Sequence, residues 1–140
     1  MNREILFKAK RKNWRELPKE EQWVEGYYVL CRKHHYILPA VDKNIGYDER
    51  EDEWVEIDPE TLCQYTWLTD KNDTRIWENS VVKTSTGIVG KVIWHDETAG
   101  FCLLPENEND DFLLLSYWIE EYEIEVINNV FDNPQLLQEE

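Results

Sequence analysis

Ser80-Val81-Val82-Lys83-Thr84-Ser85-Thr86-Gly87-Ile88-Val89-Gly90-Lys91-Val92-Ile93-Trp94 is the stretch that decides the fold. Ser80 to Thr84 has the β-branched density of a strand, and Thr86 to Trp94 reads as a second one whose Gly87 and Gly90 permit sharp bending. His95 to Gly100 is polar and small enough for a hairpin loop, after which Phe101 to Leu104 returns and Pro105 stops the strand. Working outward, Leu62 to Thr66 is a short extended segment and Thr69-Asp70-Lys71-Asn72-Asp73 a tight polar turn. Glu120 to Ile127 is read as the last strand, with Tyr122, Ile124 and Val126 on one side and Glu121, Glu123 and Glu125 on the other. Asn133-Pro134 then opens a short C-terminal helix.

The N-terminal part reads as a second group of strands. Arg3 to Ala9 alternates, Trp23 to Leu30 is rich in Val and Tyr, and His35 to Leu38 is a short strand ended by Pro39. Gly26 suggests a bulge or a close backbone crossing. Residues 42–53 read as a flexible loop and Trp54 to Ile57 as a short strand. Asp58-Pro59-Glu60-Thr61 has an N-cap followed by Pro at the first helical position, which gives one helical turn. No long amphipathic helices separate the strands, which excludes a parallel α/β sheet. The expectation is a mostly β chain. An N-terminal β lobe spans 1–61, and 62–140 forms a small SH3-like barrel or roll with the C-terminal helix, the whole making one compact unit.

Charge is unevenly placed. Residues 1–43 hold ten Lys/Arg against six Asp/Glu, whereas residues 44–140 hold five against twenty-four. Nucleic-acid backbones need a positive surface, so direct binding by the acidic part is excluded and only Lys8-Ala9-Lys10-Arg11-Lys12 could touch phosphate. The simpler reading of that run is a solvated loop or a partner for the chain's own acids. The longest apolar runs, such as Phe112-Leu113-Leu114-Leu115, fall far short of the roughly 18 residues that cross a bilayer. The residues from Met1 show no secretory pattern. Three separated cysteines, Cys31, Cys63 and Cys102, read as reduced thiols, which points to a cytoplasmic location.

Candidate chemistry is sparse. Cys31 and His34 supply two metal ligands where a structural zinc site needs four, and His35, Cys63, His95 and Cys102 would complete a set only if the fold gathered them. Cys63 or Cys102 with His95 lacks the surroundings of a nucleophile and base. The Glu121, Glu123, Glu125 row is what a half-solvated strand shows, and the acidic loop 106–111 lacks the oxygen spacing and turn glycine of a calcium loop. The chain has neither a phosphate loop nor a dinucleotide fingerprint. The expectation is therefore no catalytic residue, no metal and no cofactor. Binding falls to the tryptophans Trp67, Trp77, Trp94 and Trp118, any of which could instead be core, with Trp67 the one expected to project outward.

Several segments resemble the YopX family of phage and prophage proteins. Met1-Asn2-Arg3-Glu4-Ile5-Leu6-Phe7-Lys8-Ala9 is similar to its opening and Trp23-Val24-Glu25-Gly26-Tyr27 to its second segment. Ile57-Asp58-Pro59-Glu60-Thr61, Gln64-Tyr65-Thr66 and Leu68-Thr69-Asp70-Lys71-Asn72 resemble its most specific stretch, continued by Ile76-Trp77-Glu78 and Val81-Val82-Lys83. Glu125 to Leu137 resembles its ending. The family usually has Gly where this chain has Cys63, Trp67, Asp73 and Asn128, and Gly-Asp where it has Asn79-Ser80. Asp73, Asn79 and Asn128 tolerate the positive φ that glycine supplies, whereas Trp67 does so poorly, so the turn there is expected to differ. The resemblance implies a β-rich protein with an SH3-like portion, in a bacterial host, and no assigned reaction. The reading that follows is a non-catalytic interaction module with a host or phage protein partner, able to self-associate through β-edges or aromatic patches. Two alternatives stand beside it: an acidic nucleic-acid mimic that occupies a host DNA-binding protein, and an uncharacterised hydrolase or nuclease.

Overall fold

The computed structural model describes residues 5–39, 54–107, 109 and 112–132. Eleven strands and one short α-helix are present among them: β1 (Phe7–Lys10), β2 (Trp23–Cys31), β3 (His34–Pro39), β4 (Val55–Glu56), β5 (Cys63–Thr69), β6 (Arg75–Trp77), β7 (Ser80–Thr84), β8 (Val89–His95), β9 (Gly100–Pro105), β10 (Leu113–Leu114), α1 (Leu115–Glu121) and β11 (Ile124–Asn129). All pairings are antiparallel, in the orders β4-β3-β2-β1-β5-β6 and β10-β9-β8-β7-β11. The chain divides into two compact units, 1–64 and 65–140, and the division falls inside β5.

In the N-terminal unit, Ala9, Val24, Ile37 and Ile57 form the buried centre, one from each of four neighbouring segments, with Phe7, Tyr28, Val55 and Leu62 packed around them. The basic run is consumed here. The Lys8 ammonium lies 4.6 Å from the centre of the Trp23 ring. Lys10 is 2% exposed and sits 4.0 Å over Trp14 and 5.5 Å over Trp23, while Gln22 Oε1 accepts from its Nζ at 3.2 Å. Arg15 covers Trp14 at 4.3 Å. Cations and indoles thus alternate, and such contacts contribute about 0.5–2 kcal/mol each, most where water is excluded. Arg11 Nε donates to the Glu21 carbonyl and Lys12 pairs with Glu56, so the stretch read as a possible phosphate contact serves its own unit. Hydrogen bonds from His34 and then Lys12 hold the Glu56 carboxyl below its ordinary value. Asp58 caps its turn as expected, accepting from Glu60 N at 3.1 Å, and also accepts from the Trp14 indole at 3.1 Å.

In the C-terminal unit, Ile76, Val82, Val92, Leu103, Leu115, Trp118 and Ile124 build one core. Gly90 permits a close approach and not the bend expected of it, because a Cβ there would meet the Leu104 carbonyl oxygen at 2.5 Å. Gly26 makes no bulge: it pairs with Phe7 where the β1–β2 ladder ends and with Pro39 where the β2–β3 ladder begins. The expected barrel is not closed. β10 has only two residues, and β11 leaves register between Val126 and Asn128, so the two edges of this sheet stay unpaired with each other. Glu120 and Glu121, read as the start of the last strand, are instead the end of α1, which buries Leu115 and Trp118 and sets the Trp118 ring 5.5 Å from Tyr122. The expected flexible loop at 42–53 and the helix from Asn133 lie outside the described residues. None of the described helices is long and apolar enough to cross a membrane.

Asp70 organises this unit. Its Oδ1 accepts from Asn72 N at 2.8 Å and Thr74 N at 2.9 Å, closing the 69–73 turn, and its Oδ2 accepts from Val126 N at 2.9 Å. One carboxylate therefore joins the turn after β5 to β11, 56 residues later. Burial raises its carboxyl pKa, but the N–H groups of Val126, Thr74 and Asn72, helped by the Lys71 charge, outweigh that and hold it below its ordinary value. The linked stability is fully present above the unfolded aspartate value near ~3.9 and is lost as pH falls through the lower folded value. Asp70→Asn presents an N–H donor to part of this donor set and should cost about 2 kcal/mol at neutral pH. Urea unfolding from pH 6 down to 2.5 should show the gap between wild type and variant shrinking at the acidic end; a gap independent of pH would contradict the role given to the charge.

Candidate functional site

β5 and β6 pair Tyr65 with Trp77 and Thr69 with Arg75, so three residues on β5 face one on β6. Thr66 bridges this bulge. Its Oγ1 donates to the Ile76 carbonyl at 2.7 Å and accepts from Leu68 N at 3.2 Å, which clamps the residue between them. That residue is Trp67, at φ 70°. An L-residue in the left-handed region costs roughly 1–2 kcal/mol, and a bulky side chain there is a true outlier. The resemblance puts glycine at this position, and Trp67 takes the left-handed conformation that glycine supplies. Asp73 and Asn79 do the same at φ 62° and 70°, whereas Cys63 and Asn128 are outside the positive-φ set.

The strained residue is also exposed. Trp67 shows 38% of its surface and lies 5.5 Å from Tyr65, which in turn lies 5.3 Å from Trp77. Arg75 covers the Tyr65 ring at 5.1 Å. The result is a small aromatic face with Trp67 outermost, Tyr65 beneath it, Trp77 buried behind and a guanidinium on its rim. Two of the four expected tryptophans, Trp67 and Trp77, therefore meet around one tyrosine. Trp94 stands elsewhere in the unit, half exposed, edge-on to Phe101 and with its indole N–H donating to Asp96. Trp118 is core at 3% exposure, and its indole N–H has no acceptor among the described residues. Sequence reading missed Tyr65 and Arg75. The signal for Tyr65 was its place two residues before Trp67, since alternate strand residues share a face; Arg75 carried no local signal.

The polar candidates have partners of their own. Cys31 and His34 oppose each other across the β2–β3 hairpin, but His34 Nδ1 is engaged by Glu56 and His35 Nδ1 by the Tyr28 hydroxyl. His95 bonds to Thr98. Among the described residues no group of three or more His, Cys, Asp or Glu is placed to hold a metal ion. The N-terminal unit also has an open groove of about 510 Å³ lined by Arg11, Asn13, Leu17, Glu20, Glu21 and Trp23. Arg11 and Trp23 are already engaged in that groove, and its charges are mixed.

The sequence matches the family model for the YopX protein over residues 14–138. The chain belongs to the YopX family. A comparison with curated proteins finds no match. The match covers both units, so the Trp67 bulge and the Asp70 turn lie within the family's span.

The bulge gives a direct test of how Trp67 is held. Thr66→Val keeps the volume but strands the Ile76 carbonyl and the Leu68 N–H, which should destabilise the protein by about 2 kcal/mol in urea unfolding. A change within about 0.5 kcal/mol would show that the hydroxyl does not clamp the bulge.

Proposed function

We propose that this YopX protein is a non-catalytic, phage-type interaction module that works in the bacterial cytoplasm and binds a protein partner through Trp67. The observation that carries the reading is an exposed indole held at positive φ. A side chain kept against the backbone's preference, where glycine or asparagine would fold more easily, points to a use outside folding. Tryptophan and arginine are the residue types that dominate binding energy at protein interfaces, and Trp67 and Arg75 flank the same tyrosine.

The charge of the C-terminal unit favours one second reading. Residues 65–140 carry four Lys/Arg against sixteen Asp/Glu, a net charge of −12 that suits a mimic of nucleic acid. The two readings differ in what they need: the mimic acts through long-range, salt-screened charge, and the aromatic face through one desolvated side chain.

Affinity capture from host lysate, with and without phage induction, separates them. Wild type should retain a specific partner that Trp67→Gly loses while remaining folded by circular dichroism, and Trp94→Ala should retain it. No specific partner in either state, or equal capture by Trp67→Gly, overturns the reading. A partner released by moderate salt yet indifferent to Trp67 supports the mimic instead.

A further inference from the structure

The chain passes from β1 to β2 through two short 3-10 turns, Trp14–Glu16 and Lys19–Glu21, and this loop is tied from inside. Arg11 N donates to the Gln22 carbonyl at 2.8 Å and Arg11 Nε to the Glu21 carbonyl at 3.0 Å. Gln22 Nε2 donates to the carbonyls of Trp14 and Leu17, each at 3.0 Å. These bonds hold in place the walls of the open groove of about 510 Å³ lined by Arg11, Asn13, Leu17, Glu20, Glu21 and Trp23. Small-ligand sites span about 300–1,000 Å³. The ties run to backbone carbonyls and leave the polar ends of the lining side chains unused. The Arg11 Nη groups and the Glu20 and Glu21 carboxylates make no hydrogen bond or ion pair with any described residue. Asn13 stands at the N-cap of the first turn, yet its side chain makes no capping bond. Lys8 and Lys10 reach the Trp23 ring from β1, and neither is among the residues that line the groove.

We propose that this groove binds a neutral polyhydroxyl ligand, a short saccharide. The mixture of charges selects that class. A cation drawn to Glu20 and Glu21 meets Arg11, with Lys8 and Lys10 behind Trp23. An anion drawn to Arg11 meets the two carboxylates. A neutral ligand is opposed by neither. Carboxylates only accept hydrogen bonds, so the ligand must be dense in donors. Neighbouring hydroxyls present two O–H groups side by side to the two oxygens of one carboxylate, and their own oxygens accept from the Arg11 Nη groups. Hydrogen bonds to ionised partners are the strong ones. A peptide backbone has one N–H per residue, too sparse to serve both carboxylates in this volume. The apolar C–H face of a sugar ring lies against the Trp23 indole, with Leu17 beside it, and the Asn13 amide both donates and accepts. The groove belongs to the N-terminal unit alone, and this proposal does not depend on Trp67.

Nuclear magnetic resonance titration of the 15N-labelled full chain tests it, with maltotriose and chitotriose as probes. The readout is the Trp23 indole N–H signal, assigned by its absence in Trp23→Phe. At least one of the two sugars should shift that signal saturably, with half-saturation at millimolar concentration. The affinity should change less than about twofold between roughly 50 and 500 mM salt, because no ligand charge is there to be screened. Glu20→Ala with Glu21→Ala removes acceptors that hold nothing else in the fold. The double variant should keep its melting temperature and bind the sugar at least about tenfold more weakly. No saturable shift with either sugar up to about 50 mM, or equal binding by the double variant, overturns the proposal. A stronger shift with the capped neutral peptide acetyl-Gly-Ser-Gly-amide, with acetate or with spermidine also overturns it, and shows a peptide, anion or cation site instead.

Discussion

A single buried carboxylate holds the C-terminal unit in register. Asp70 has two oxygens and accepts three backbone N–H groups, two from its own turn and one from β11. Without it the 69–73 turn would lose its closure and β11 would lose its bond at Val126, leaving the 3.0 Å bond from Lys71 N to the Ile124 carbonyl to tie turn and strand. Among the described residues β11 is the edge strand of its sheet and its only ladder is with β7, already interrupted between Val126 and Asn128. The core residue Ile124 and the end of α1 both depend on that placement. Its charge is what lets one residue do this, because bonds to an ionised acceptor are about twice as strong as neutral ones.

Around that framework, the positive-φ residues sort by side chain. Asp73 and Asn79 are residues that enter the left-handed region at modest cost, and they sit in turns where the chain needs them. Trp67, Arg32 and Lys33 do not fit that account. Each is exposed, each resists its backbone, and each lies where glycine or asparagine is the cheaper choice. Strain of this kind persists only where the surrounding structure over-determines it. For Trp67 the over-determination is visible in the Thr66 clamp; for Arg32 and Lys33 it is the unbroken β2–β3 register on either side. Ala99, exposed in the loop between β8 and β9, is a further residue at positive φ, 51°.

Much of this fold was legible because its signals are local. Ser80–Thr84, the strand from Trp23, the Asp58 cap and the 69–73 turn all follow from a few adjacent residues. What was not legible rested on distant partners or on missing punctuation. α1 has no side-chain cap at Leu114, and its apolar positions merge with the preceding run from Phe112, so its start carries no mark. The tight β2–β3 hairpin was hidden because Arg-Lys is not a turn signature. Gly90 was read as a bend when its reason lies on β9, in the Leu104 carbonyl. The open sheet was read as a barrel because strand count and glycine spacing say nothing about whether the edges meet. At the site, Trp67 was legible because the resemblance implied a glycine there, whereas Trp118 was indistinguishable from it until burial was known.

The claim on which the account turns is that Trp67 occupies a position built for glycine. Comparing Trp67→Gly with Trp67→Ala by equilibrium urea unfolding isolates it, because both variants lose the indole and its contact with Tyr65. In an ordinary strand alanine is the more stable of the two by roughly 0.5–1 kcal/mol. At φ 70° the order should invert, with the glycine variant more stable by about 1 kcal/mol. An alanine variant as stable as the glycine one, or more so, would contradict the strained bulge and with it the reason for assigning Trp67 a use outside folding.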